Sequence, residues 1–174
     1  MRSFLLDALF KGKATIAPPG PDAAALEQAT RALGERARRR LGRSLAIREI
    51  DAGSCNGCEL EIHAVNNPVY DIERFGLKFV ASPRHADVLL VTGPVTWNMR
   101  EALLRTYNAA PEPRWVVALG DCAVNCGVFA GSPAVVGPLA DILPVDVHVP
   151  GCPPRPIEIV KALLALIEVQ AARG

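Results

Sequence analysis

No apolar run among the 174 residues reaches the ~18 residues expected of a membrane-spanning helix. The opening MRSFLLDALFKGK carries Arg2, Asp7 and Lys11 and lacks the apolar h-region of a secretory signal. Arg38-Arg39-Arg40 contains the arginine pair of a twin-arginine signal. The SLAI that follows runs at once into Arg48, Glu49 and Asp51, so no h-region follows there either. Charged residues make up only 21% of the chain and apolar ones 50%, which excludes disorder over the whole length. The length suits one ordinary domain. The expectation is a protein of the cytosol, or of the cytosolic side of a membrane.

The net charge of +1 hides an asymmetry. From Arg31 to Arg48 there are seven arginines and one acid, Glu35, so the remainder is net negative. A basic arm on a faintly acidic body suits phosphate, anionic lipid or an acidic partner, and equally a solvated helix face. Nucleic acid is not expected as a partner, because Arg38–Arg40 lacks interleaved aromatics and no recognition motif is present.

Residues 1–44 read as an N-terminal arm and a basic helix, and residues 45–174 as an α/β domain. In the arm, Phe4, Leu5, Ala8 and Leu9 share one face at helical spacing. Pro18, Pro19 and Pro21 then break any helix. A second helix is expected over AAALEQATRALGERARRRL, with Asp22 as its cap and Gly42 at its end. From Leu45 the pattern alternates. LAIREI, GLKFV, ADVLLVTG, WVVALG and VDVHV read as strands, and ELEIHAVN, TWNMREALLRTYNAA and PIEIVKALLALIEVQAA as helices. The near-continuous apolar runs of ADVLLVTG and WVVALG fit strands buried on both faces. In the last helix Ile157, Val160, Leu164 and Ile167 form one stripe. Strands alternating with helices imply a doubly wound α/β parallel sheet.

There are five cysteines, Cys55, Cys58, Cys122, Cys126 and Cys152. In a reducing compartment an odd count is not a disulfide framework, and metal or redox chemistry is the better reading. Cys55 and Cys58 follow the first strand, Cys122 the fourth and Cys152 the fifth. Ligands of open α/β sheets sit beyond the carboxyl ends of the strands, so all the cysteines converge at one edge. Cys55-Asn-Gly-Cys58 lets one short loop offer two sulfurs to one centre. Four thiolates suit a [4Fe–4S] cluster or a Cys₄ zinc. Structural zinc comes as two close pairs, whereas the third and fourth cysteines here are isolated, which favours the cluster. Cys152 lies in PGCPPRP, and proline directly after a ligand cysteine recurs in bacterial ferredoxin motifs. Cys122 and Cys126 compete for one corner, and spacing alone does not choose between them.

Taken together, SCNGCELEI, ERFGLKFVASPRHADVLLVTGPVT, ALGDC and ILPVDVHVPGCPPRP resemble the small subunit of membrane-bound, energy-converting [NiFe] hydrogenases of the formate hydrogenlyase and hydrogenase-4 type. The same fold serves in the corresponding subunit of respiratory complex I. The resemblance covers about Arg48 to Ile167. It implies a flavodoxin-like domain holding one [4Fe–4S] cluster on Cys55, Cys58, Cys122 and Cys152. Cys126 stands where relatives have glycine and is read as a non-ligand. The resemblance also implies the partners: a large subunit that carries nickel and iron, a ferredoxin-like iron–sulfur subunit, and membrane-arm subunits. The chain itself would be an electron relay, peripheral on the cytoplasmic side of the cell membrane. The first 22 residues, apolar on one face and flanked by Arg2, Lys11 and Lys13, would meet the membrane arm or the membrane surface.

Glu59 and Glu61 flank the cysteine loop and are candidates for coupled proton transfer. Glu61 matches an acidic position of the complex I-like relatives, so the resemblance selects it. His63 and His148 read as structural or surface residues, and Trp97 and Trp115 as packing residues. The complex I relatives have two adjacent cysteines at the first site, whereas Cys-Asn-Gly-Cys is the hydrogenase form. A complex I-like or sulfur-reducing subunit is the alternative, and a free-standing iron–sulfur or zinc module a remote one.

Overall fold

A computed structural model describes residues 23–171, so the arm over 1–22 and the capping Asp22 lie outside the described residues. Helix α1 spans Ala23–Leu41, the extent read from the sequence. Five strands form one parallel sheet: β1 Leu45–Asp51, β2 Leu77–Phe79, β3 Val88–Thr92, β5 Trp115–Leu119 and β7 Val147–Val149, in the order β2-β1-β3-β5-β7. These are the five strands expected, in the order of a flavodoxin-like doubly wound sheet. Helices α2 (Gly57–Val65), α3 (Trp97–Ala109), α4 (Asp121–Asn125) and α5 (Pro156–Ala171) make the connections. Two elements were not expected: α4, and a small antiparallel pair of β4 (Val95–Thr96) with β6 (Val135–Gly137).

Successive residues of a strand face opposite sides, so each strand feeds two cores. Leu45, Ile47, Leu90, Val117 and Val149 face one apolar layer with Ile62 and Val65 of α2 and Val160 and Leu163 of α5. Ile50, Leu89, Val91 and Ala118 face the other with Leu103 of α3 and Ala123 of α4. All five residues of β3 and of β5 are buried, as their apolar runs require.

Helix α1 packs on α5 and on the short 3₁₀ turn Ile72–Phe75. Gly34 permits the approach, because a Cβ there would overlap the carbonyl of Phe75. At the foot of β1 the Arg43 guanidinium holds both oxygens of buried Asp87, at 2.8 and 2.6 Å. Asp87 also accepts from the Ala46 amide at 2.9 Å, which pins β1 to the start of β3.

Two expectations are corrected here. Of the expected stripe Val160 is buried, but Ile159, Leu163 and Leu166 complete the buried face of α5 while Ile157 and Leu164 are only half-buried; the side chain of Ile167 lies outside the described residues. The helix is apolar almost all round, so its orientation is set by α1 and the sheet rather than by its own periodicity. Trp97 is not a packing residue: it opens α3 and is 62% exposed, whereas Trp115 is buried in the core.

Candidate metal centre

The winding of the sheet reverses between β1 and β3, and ligands of such sheets bind outside the carboxyl ends at that point. The loops leaving β1, β3, β5 and β7 meet there. Leaving β1, Asp51 Oδ1 accepts from the amides of Gly53 and Ser54 at 2.8 and 2.7 Å, which turns the chain toward Cys55. Asn56 then takes a left-handed conformation, φ 71°, and α2 begins, so Cys55 precedes the helix and Cys58 lies in its first turn. Leaving β5, Gly120 leads into Cys122 in α4. Leaving β7, Gly151 leads into Cys152.

Cys55, Cys58, Cys122 and Cys152 line one cavity of about 140 Å³, with Asp121, Gly57, Gly93 and Gly151 also in its wall. Cys58 is half-buried and Cys122 buried, while Cys55 and Cys152 are exposed. The centre therefore has an inner and an outer half. Side-chain volume is missing where the sulfurs need room. Gly120 has φ +86°, and a Cβ there would stand 2.7 Å from Cys58 Sγ. A Cβ on Gly93 would overlap the backbone of Ser54, so the loops of β1 and β3 close together only with glycine.

Burial pushes the Cys58 thiol up to about 12, and the neighbouring Glu59, Cys122, Cys55 and Cys152 add to the rise. Burial likewise raises the Cys122 thiol, followed by Cys152 and Cys55. The raised Cys58 and Cys122 thiols, each with other cysteines of the cavity among the causes, suit a strongly cationic occupant that takes the place of their protons. Among the described residues no three His, Cys, Asp or Glu side chains are placed to hold a single metal ion. Four cysteine sulfurs around one cavity are a donor set that an iron–sulfur cluster could use.

Cys126 lies elsewhere. It is the left-handed residue that closes α4, φ 67°, buried outside the cavity wall. Its thiol is raised by burial and by Asp141, with no contribution from the other four cysteines.

The two carboxylates of α2 also separate. Residues 59, 62 and 65 form its buried face, so Glu59 points inward and accepts a hydrogen bond from Thr92 Oγ1. Its Oε2 is buried without a partner among the described residues. Glu61 is half-buried and is absent from the cavity wall. The inward position of Glu59 is the feature that sequence reasoning passed over; the spacing of Glu59, Ile62 and Val65 carries that signal. His63 and His148 are exposed.

Residues 55–166 match the family model of NADH ubiquinone oxidoreductase, 20 Kd subunit. The chain belongs to this family. It is 50% identical over 128 residues to the probable membrane-bound hydrogenase subunit mbhJ of Pyrococcus furiosus, covering 74% of this chain and 77% of that protein. It is 48% identical over 118 residues to formate hydrogenlyase subunit 7 of Escherichia coli, covering 68% of this chain but only 46% of that longer protein. Among solved structures, a chain of the membrane-bound sulfane sulfur reductase, an archaeal respiratory membrane complex, superposes with a TM-score of 0.66. That pair is 33% identical, and the match covers 79% of this chain and 75% of the other. Among the described residues, no helix is long and apolar enough to cross a membrane.

Proposed function

We propose that this chain is the electron-relay small subunit of a membrane-bound [NiFe] hydrogenase of the formate hydrogenlyase type, holding one [4Fe–4S] cluster on Cys55, Cys58, Cys122 and Cys152. The observation that carries the proposal is the single cavity lined by these four cysteines, with Cys126 outside its wall. The hydrogenase assignment is supported by relatives at 50% and 48% identity and by the Cys-Asn-Gly-Cys loop. When bound, the cluster supplies one-electron transfer.

The residues of the chain have distinct tasks in this reading. Cys58 and Cys122 anchor the inner half, and Cys55 and Cys152 hold the outer half near the surface, where a partner's redox centre approaches. Burial and the hydrogen-bonding groups around the sulfurs set the potential. Glu61 is the proposed proton-exchanging carboxylate of α2. The division into an arm over 1–44 and an iron–sulfur domain over 45–174 belongs to the same reading. So do the large subunit with nickel, the ferredoxin-like subunit, the membrane-arm subunits and the peripheral place on the cytoplasmic side of the membrane.

A sulfur-reducing assembly is the second reading, favoured by the sulfane sulfur reductase chain at 33% identity. One purification separates the two. The complex, purified without oxygen through a tag on this chain, is expected to hold about four irons on this subunit and to evolve hydrogen from a reduced low-potential dye. A complex that reduces polysulfide and evolves no hydrogen overturns the hydrogenase assignment. A colourless, zinc-loaded chain overturns the cluster.

A further inference from the structure

Asp121 and Gly151 are joined twice. The Asp121 amide donates to the Gly151 carbonyl at 2.8 Å. The Gly151 amide donates back to Asp121 Oδ1 at 2.7 Å. Each residue immediately precedes one of the cysteines of the cavity, Cys122 and Cys152. Just inside this ring the Gly120 amide donates to the Val149 carbonyl at 2.8 Å, the last rung between the ends of β5 and β7. Beyond that rung the Asp121 amide makes one more backbone bond, and the second Asp121–Gly151 bond is supplied by a side chain. Asp121 is half-buried and stands in the cavity wall among the four sulfurs.

A carboxylate is an unfavourable neighbour for thiolates, since like charges repel. A residue with no other task would not carry a negative charge at that place. A hydrogen-bond acceptor on a short side chain does have a task. Asparagine could replace it with one carbonyl oxygen at the same reach, serine falls one atom short, and alanine offers nothing.

We propose that Asp121 is a positioning residue for the metal centre: its carboxylate and amide close a two-bond ring with Gly151 that fixes the separation of the Cys122 and Cys152 loops. The inference rests on the reading of Cys55, Cys58, Cys122 and Cys152 as cluster ligands. The ring ties together the two single cysteines, which share no short loop of their own, as Cys55 and Cys58 do. Groups that orient metal ligands from behind commonly change metal retention by about 10- to 100-fold.

The test uses the intact complex purified without oxygen, in wild type, D121N, D121S and D121A forms. Iron per subunit, the rate of iron release to a chelator, and the EPR line shape after reduction are measured. D121N is expected to keep the wild-type iron and line shape, with a less negative midpoint potential because a charge next to the centre is gone. D121A is expected to release iron about 10-fold faster or more, with a broadened or split signal. If D121A does not accumulate, D121N and D121S decide, with retention in asparagine and accelerated release in serine. Equal release rates and line shapes in D121A or D121S and the wild type overturn the positioning role. Loss of iron in D121N as complete as in D121A also overturns it. A wild-type complex without iron overturns the cluster itself, a result distinct from either.

Discussion

Thr92, at the carboxyl end of β3, donates its hydroxyl proton to the carboxylate of Glu59, in the first turn of α2 beside Cys58. Thr92 is fully buried and Glu59 is 7% exposed. The bond ties the helix that carries Cys58 to the central strand of the sheet. An unpaired buried carboxylate is costly, so the hydroxyl is a necessary partner rather than an optional one.

Thr92→Val keeps the shape of the side chain and removes the donor. The expected result is a loss of about 1–3 kcal/mol of stability, the cost of leaving a buried polar group without its partner. Denaturant unfolding of wild type and variant checks this. Because the bond sits behind Cys58, the variant is also expected to release iron faster. A midpoint unchanged from wild type would show that Glu59 finds another donor.

Cys126→Gly is expected to keep the iron, and Cys122→Ser to lose it. Cys126 occupies a left-handed conformation, φ 67°, which costs a residue with a Cβ about 1–2 kcal/mol relative to glycine. Relief of that strain offsets part of the packing that the buried thiol provides, so the stability of Cys126→Gly should stay close to wild type. Cys122 has its Sγ against Gly127, where a Cβ would stand only 3.0 Å away, and it faces the cavity. Iron analysis of both variants measures the difference. Equal iron in the two, or loss only in Cys126→Gly, refutes the ligand choice.

The five sheet strands were legible because each is a short apolar run between turn residues, and β3 and β5 are buried on both faces. Cys55, Cys58, Cys122 and Cys152 share one cavity because each follows the carboxyl end of a strand, whereas Cys126, expected at the same edge, lies outside the cavity wall. What was not legible was short or direction-dependent. The pair of Val95–Thr96 with Val135–Gly137 and the five-residue α4 are too brief for any periodicity to register. Cys122 and Cys126 are equivalent candidates along the chain, and they part only because Cys126 takes the left-handed turn that closes α4. Glu59 and Glu61 look alike in sequence, and the buried face of α2 through Ile62 and Val65 distinguishes them. The orientation of α5 was hidden because a helix apolar on most sides has no preferred stripe until α1 packs on it.

Glu49 predicts a pH dependence of opposite sign to the usual carboxylate. It lies in β1 and lines an open cavity of about 260 Å³ with Arg48, His63, Asn66 and Phe79. Burial raises its pKa above the ordinary 4.5, and Glu59 and then Asp51 add to this while His63 and Arg48 oppose it. A folded-state pKa above the unfolded one favours the protonated form on folding. Its contribution is therefore present below the unfolded value and is lost as pH rises through the folded value. Glu49→Gln stays neutral throughout. The variant should gain stability relative to wild type between about pH 4, below the unfolded value, and about pH 8. Unfolding midpoints of both proteins at the two pH values give the answer. A gap between them that does not change with pH would mean that Glu49 ionises as freely folded as unfolded.

Deleting residues 1–22 is expected to leave the metal centre intact and to release the protein from membranes. Phe4, Leu5, Leu9 and Phe10 give the arm an apolar face, and Arg2, Lys11 and Lys13 give it positive flanks. A helix over so few residues would be marginal in water and would gain order by burying those side chains. Interfacial helices combine these features, and the anionic cytosolic leaflet attracts the cations. The competing possibility is that the same face folds onto the domain itself. Among the described residues, however, the sheet already has helices on both faces, α1, α2 and α5 on one and α3 and α4 on the other. Neither layer needs the arm to close it. The truncated chain should therefore still bind iron and still co-purify with a large subunit, while the pair washes off membranes at moderate salt. If truncation instead abolishes iron binding or soluble folding, the arm belongs to the core of the domain and the membrane assignment of its apolar face is wrong.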